Sequence, residues 1–171
     1  FVEGLGAAQF AMPGAVDRLR AEREADSEAG PRVTLLAAAD PAQPYGATLP
    51  WPRDEGADRL PLQRAAGAYL AMVDGKAALY IERGGKGLLT LPAFADDAVA
   101  IAALASLPRV LEPSGPMREL RLERVDRVPP AESAIAEQLR ELGFRPTYRS
   151  WLLRGREVGG VALPRAQRNV P

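Results

Sequence analysis

Asp74-Gly75 stands between two apolar runs, residues 68–73 and 76–81, and no other feature of the chain limits its fold as tightly. A two-residue connection of type I′ needs positive φ at both central positions. Asp-Gly meets that need, so the two runs are predicted to pair as an antiparallel hairpin. A second turn at Gly84-Gly85-Lys86-Gly87 leads into Leu88-Leu89-Thr90-Leu91, which adds a third strand. Residues 33–39 read as a further buried strand, joining the meander if the sheet curls toward a barrel.

Downstream the hydrophobic period changes. Residues 96–105 carry carboxylates in their first turn and apolar residues on a broad face, which predicts a helix capped from Asp96. Residues 120–125 alternate in part and read as one half-buried strand. Residues 131–142 form an amphipathic pattern ended by Gly143, with Pro146 where no helix resumes, and residues 148–154 read as a last strand. The expected class is α+β: an antiparallel β-meander or partial β-barrel followed by a small αβαβ portion. Residues 1–30 read as the end of a preceding element plus a helix starting at Pro13, residues 31–154 as the main domain, and residues 155–171 as a loosely ordered tail. Residues 26–30 and 54–59 read as exposed polar linkers.

Between the first strand and the hairpin lies Ala39-Asp40-Pro41-Ala42-Gln43-Pro44-Tyr45-Gly46, then Leu49-Pro50-Trp51-Pro52. Each proline fixes its φ and removes a donor, so the stretch is expected to be an ordered loop holding Tyr45 and Trp51 in set positions. Such rings either cap the end of a β-core or offer a platform for a nucleic-acid base. Arg53, Arg83 and Lys86 fall on loops where they are able to meet phosphates. Together Tyr45, Trp51, Arg53, Arg83 and Lys86 are the candidate nucleic-acid contacts. Asp40, placed before a proline, is expected to stabilise the loop through backbone groups rather than act as an acid or base.

Composition narrows the chemistry further. The 171 residues are 47% hydrophobic and 26% charged, enough for one domain with a real core. Basic and acidic residues number 22 each, so net charge argues for no partner. Lysine occurs only at Lys76 and Lys86, an arginine preference that a GC-rich genome produces without any function. There is no Cys and no His, which excludes disulfides, thiolate or imidazole metal sites, Ser-His-Asp triads and histidine acid-base catalysis within this chain. No catalytic or metal-ligating residue is assigned. No apolar run reaches membrane-spanning length and no signal peptide is visible, so no membrane and a cytoplasmic location are expected. The start at Phe1, in sequence that already reads as mid-fold, suggests part of a longer polypeptide.

The proline-rich segment, then Val73-Asp74-Gly75-Lys76, Leu79-Tyr80-Ile81-Glu82-Arg83-Gly84-Gly85, and Leu142-Gly143-Phe144-Arg145-Pro146-Thr147, resemble in order the C-terminal part of the bacterial large helicase-related (Lhr) proteins. The resemblance runs from about Phe1 to Arg154. It implies an accessory region of a superfamily 2, ATP-dependent 3′–5′ DNA helicase, supporting nucleic-acid binding and assembly in DNA repair. The motor, with its ATP and Mg²⁺, would lie elsewhere in the polypeptide, and this fragment would need no cofactor. Implied partners are DNA, single-stranded or as an RNA:DNA hybrid, the remaining domains of the same helicase, and a second copy in a homo-oligomer. The chain departs from the commoner family pattern at Gln43, where Asn is more usual. It has no Gly-x-x-x-x-Gly-Lys-[Ser/Thr] loop, since Gly84-Gly85-Lys86-Gly87 lacks both the spacing and the following hydroxyl. Two alternatives stand beside this reading. One is an oligomerisation or scaffold module; the other is part of a uracil-DNA glycosylase-like region, whose proposed aspartate near the chain end has no counterpart here. No aspartate follows Asp126, and the last carboxylates are Glu141 and Glu157.

Overall fold

In a computed structural model, which describes residues 8, 10–25, 30–53, 62–112 and 115–155, the predicted meander forms the centre of the molecule. A helix at Ala15–Ala25 (α1) precedes it, with Phe10, Met12, Val16 and Leu19 exposed. Val33–Ala37 (β1), Tyr69–Val73 (β2), Lys76–Ile81 (β3) and Gly87–Thr90 (β4) pair antiparallel in that order. Asp74 and Gly75 take φ of 49° and 77°, as a type I′ turn demands. The Asp74 carboxylate also accepts from the Arg32 amide at 2.9 Å, and the Asp74 amide donates to the Arg32 carbonyl at 3.0 Å, so the turn holds the start of β1.

Both faces of this sheet are apolar, and both are covered. Leu70, Met72, Ala77, Tyr80 and Leu89 face one side; Ala71, Val73, Ala78, Leu79, Ile81 and Leu88 face the other. A bulge explains why Ala78 and Leu79 share a face. Ala71 pairs with Leu79 but Met72 with Ala77, leaving Ala78 as the extra residue. Strands buried on both faces lose the polar alternation of a solvated sheet, which accounts for the unbroken apolar runs.

The second face packs on a helix, Asp97–Ala105 (α2), and on a smaller sheet. Asp96 caps α2 as expected, accepting from the amides of Ala98 and Val99 at 2.9 and 3.2 Å. The stretch 120–125 is not one strand. Glu119–Leu122 (β5) belongs to the smaller sheet, while Arg124–Val125 (β6) runs parallel to β4 in the larger one. The break falls at Glu123, whose amide donates to the Lys86 carbonyl at 2.8 Å. Leu120 and Leu122 keep period 2 but Val125 comes three residues later, and that slip lets one segment serve both sheets.

The helix expected over 131–142 is also shorter. A 3₁₀ turn at Pro130–Glu132 stops at Ser133, whose hydroxyl donates to the Pro130 carbonyl at 2.9 Å, and the α-helix proper is Ala136–Glu141 (α3). Gly143, at φ 98°, ends it and sends Phe144 into the core. Arg145–Pro146 (β7) and Trp151–Arg154 (β8) complete the smaller sheet in the order β5-β8-β7. The class is α+β, its two sheets antiparallel but for the parallel β4–β6 pair. The larger sheet stays open, its edge strands β1 and β6 not meeting, so the meander does not close into a barrel. The polar stretches 26–29 and 54–59, most of residues 1–11 and the tail after Gly155 lie outside the described residues.

Candidate nucleic-acid interface

The proline-rich loop leaves β1 at Ala38 and lies along the first face of the larger sheet. Its first turn is set by Asp40, whose carboxylate accepts from the Ala42 amide at 2.8 Å, the backbone role expected of it. Gln43 comes next and is 0% exposed. Its amide nitrogen donates to the carbonyls of Ala38, at 3.0 Å, and Tyr45, at 2.9 Å, while its oxygen accepts from the Tyr45 amide. One side chain thus satisfies backbone groups that the prolines leave without ladder partners. Arg64 completes the clamp from outside. Its guanidinium donates to the carbonyls of Asp40 at 2.9 Å and Gln43 at 2.5 Å, with longer contacts to Ala39 and Tyr45.

Tyr45 and Trp51 are held by this frame. The Tyr45 hydroxyl donates to the Gly75 carbonyl at 3.0 Å, pinning the loop to the hairpin turn. The Tyr45 and Trp51 rings stack at 6.4 Å between centroids and 20° between planes, and Trp51 meets Tyr80 edge-on at 5.8 Å and 85°. Trp51 also lies against Gly46, where a Cβ would come within 2.4 Å of the indole nitrogen. Both rings pack on the buried cluster of Leu70, Met72, Ala77 and Tyr80. Tyr80 is 3% exposed, and its hydroxyl donates to the Gln63 carbonyl at 2.9 Å. Burial pushes its pKa above the usual tyrosine value, reinforced by the charge of Glu82 and opposed by the bond to Gln63.

The five candidate contacts do not converge. Trp51 and the exposed Arg53 line one edge of an open cleft of about 620 Å³, together with Gly46, Leu49, Leu62 and Gln63. Arg83 and Lys86 occupy the turn between β3 and β4, at the other end of β3 from the Gly75 carbonyl that holds Tyr45. The six residues of β3 put roughly 20 Å between those ends. Arg83 is exposed, whereas Lys86 pairs with Glu123 at 3.1 Å. The backbone of that turn does not form a loop-to-helix phosphate cradle: it opens into strand β4 rather than a helix, and its Gly85 is buried against Leu120 and Met117. Among the described residues no group of acidic side chains is arranged to hold a metal ion.

The residues that organise the loop, Gln43 and Arg64, are absent from the sequence-derived set. Gln43 carried one signal, a long amide side chain inside a proline-rich stretch where backbone acceptors lack partners. Arg64 carried none, because its targets lie 19 to 25 residues upstream.

Residues 1–31 match the family model described as "Large helicase-related protein, winged-helix domain". The chain is 44% identical over 130 residues to a Mycolicibacterium smegmatis protein named "Lhr helicase/ probable uracil glycosylase", covering 75% of this chain and 8% of that one. It is an Lhr-related region. An Escherichia coli protein named "Lhr helicase/uracil glycosylase" is 35% identical over 145 residues, covering 84% of this chain and 9% of its own length. The chain therefore spans less than a tenth of either curated relative. The Lhr-related match extends well beyond the winged-helix segment, and so takes in the meander, its proline-rich lid or both. No helix among the described residues is long and apolar enough to cross a membrane.

Proposed function

We propose that this Lhr-related region is an accessory, C-terminal part of an ATP-dependent DNA helicase, where it supports binding of single-stranded or hybrid nucleic acid during repair. The sequence similarity to two proteins named Lhr helicases carries the proposal. ATP, Mg²⁺ and the motor belong to the parent polypeptide, since the one Gly-Gly-Lys turn here is a strand connection. Tyr45 and Trp51 act by shaping the loop, and Arg53 and Arg83 supply peripheral phosphate contacts. Fluorescence anisotropy of the 171-residue chain with labelled single-stranded DNA tests this. Affinity should fall steadily as salt rises, because each phosphate contact releases counterions. Absence of binding at low salt, or a flat salt dependence, would leave the scaffold alternative in its place.

The names of both relatives favour a second reading, a part in uracil excision. Against it, the last aspartate, Asp126, is engaged in structure: its carboxylate accepts from the Thr90 amide at 2.7 Å and the Thr90 hydroxyl at 3.0 Å. The described lining of the cleft beside Trp51 includes no carboxylate to stabilise positive charge on a sugar. Glu157 lies outside the described residues. Incubation with uracil-containing DNA decides the matter: an abasic product lost in Glu157→Gln supports this second reading, and no product removes it.

A further inference from the structure

The smaller sheet turns one side to the core and the other to solvent. Leu120, Leu122, Trp151 and Leu153 are buried, so the alternate residues of β5 and β8 face outward. Pairing places Arg121, Leu152 and Arg145 in one row across the three strands, because Leu152 is the register partner of both arginines. Adjacent strands lie about 4.8 Å apart, so the two arginine Cα atoms flank Leu152 at a separation of roughly 10 Å. Arg154, paired in register with Glu119, lies in the next row on the same face. Glu119 is shared between Arg121, at 3.0 Å, and Arg154, at 3.8 Å. Arg145 makes no ion pair with any described residue.

The β7–β8 turn adds an aromatic at the end of this face. Tyr148 is 91% exposed, and the Arg149 guanidinium lies over one face of its ring, 5.2 Å from the centroid. The turn is braced beneath them. The Thr147 amide and hydroxyl both donate to the Ser150 carbonyl at 2.7 Å, and the two hydroxyls of Thr147 and Ser150 are 2.7 Å apart. A large ring held almost wholly in water by a closed turn contributes nothing to the core. Its free face is open to a flat partner.

We propose that the outer face of β5, β8 and β7, with Arg121, Arg145, Arg149 and Arg154 around Leu152 and Tyr148 at its end, is a contact surface for single-stranded nucleic acid. The arginines would meet phosphates and Tyr148 would stack one base. An acidic protein segment would use the same guanidinium groups but offers no flat face to the ring. None of these residues belongs to the proline-rich loop or the β3–β4 turn. The inference rests on the nucleic-acid reading of the region, and names a surface for it.

Anisotropy with labelled oligothymidylate, using the 171-residue chain, tests the surface. Tyr148→Ala should weaken binding about tenfold and Tyr148→Phe should preserve it, since stacking needs the ring and not the hydroxyl. The residue is exposed, so circular dichroism should show both variants folded. Arg145→Gln and Arg149→Gln should each flatten the plot of log affinity against log salt by ~0.7, the value for one single-strand phosphate contact. Glu119→Gln should tighten binding by releasing Arg121 and Arg154. Binding by the wild type that none of these substitutions alters would overturn this surface while leaving the broader function intact. Loss in the arginine variants with none in Tyr148→Ala would overturn the stacking surface and leave phosphate contact alone, and no binding by the wild type would end both proposals.

Discussion

Gly46 meets two demands at once: a φ of 74°, and an indole ring where any side chain would begin. Alanine would be strained in that backbone conformation and would drive Trp51 off Tyr45 and Tyr80. Gly46→Ala is expected to destabilise the chain by on the order of 1–3 kcal/mol, read from the urea midpoint. Tyr80 makes a different prediction. Its folded pKa is raised, so around and above pH 10 the unfolded chain gives up the phenolic proton first and stability declines. The contribution is fully present below the unfolded value and is lost as pH rises through the folded one. Urea midpoints between about pH 9 and 11 should fall more steeply for the wild type than for Tyr80→Phe, which has no such proton.

Elements were legible where their cause is local. The Asp74-Gly75 turn, the Asp96 cap and the Gly143 stop each depend on neighbouring residues, and each stands where the sequence puts it. The split of residues 119–125 was not legible, because it depends on Lys86, far upstream in sequence, offering a carbonyl at the point where the chain changes sheets. The same holds for the loop, whose order was predicted from its prolines but whose clamp by Arg64 arises from a tertiary contact. Asp126 shows what holds the transferred strand in place. Its carboxylate joins the end of β4 to the turn after β6, at a backbone φ of 48°. Asp126→Ala should cost on the order of 1 kcal/mol in a chemical-denaturation experiment, and Asp126→Asn less, because asparagine keeps an acceptor and tolerates the left-handed conformation.

At the scale of the whole molecule, the larger sheet is a filled layer. The proline-rich loop closes one of its faces, and α2 with the smaller sheet closes the other. The most distinctive stretch of the sequence is therefore mainly a structural lid, its rings packed on the core and its backbone held by Gln43 and Arg64. Exposed charge combined with an unpacked aromatic occurs instead on the outer side of the smaller sheet. The division is between a loop that makes the fold and a face that is free to bind.

Amide shifts of the ¹⁵N-labelled chain, followed while an oligothymidylate of about a dozen nucleotides is added at low salt, test this division most directly. The account predicts the largest changes at Arg121, Arg145, Tyr148, Arg149 and Leu152, with the amides of Gln43, Tyr45, Gly46 and Leu49 unmoved. Changes centred on the proline-rich loop, or none anywhere, would contradict it.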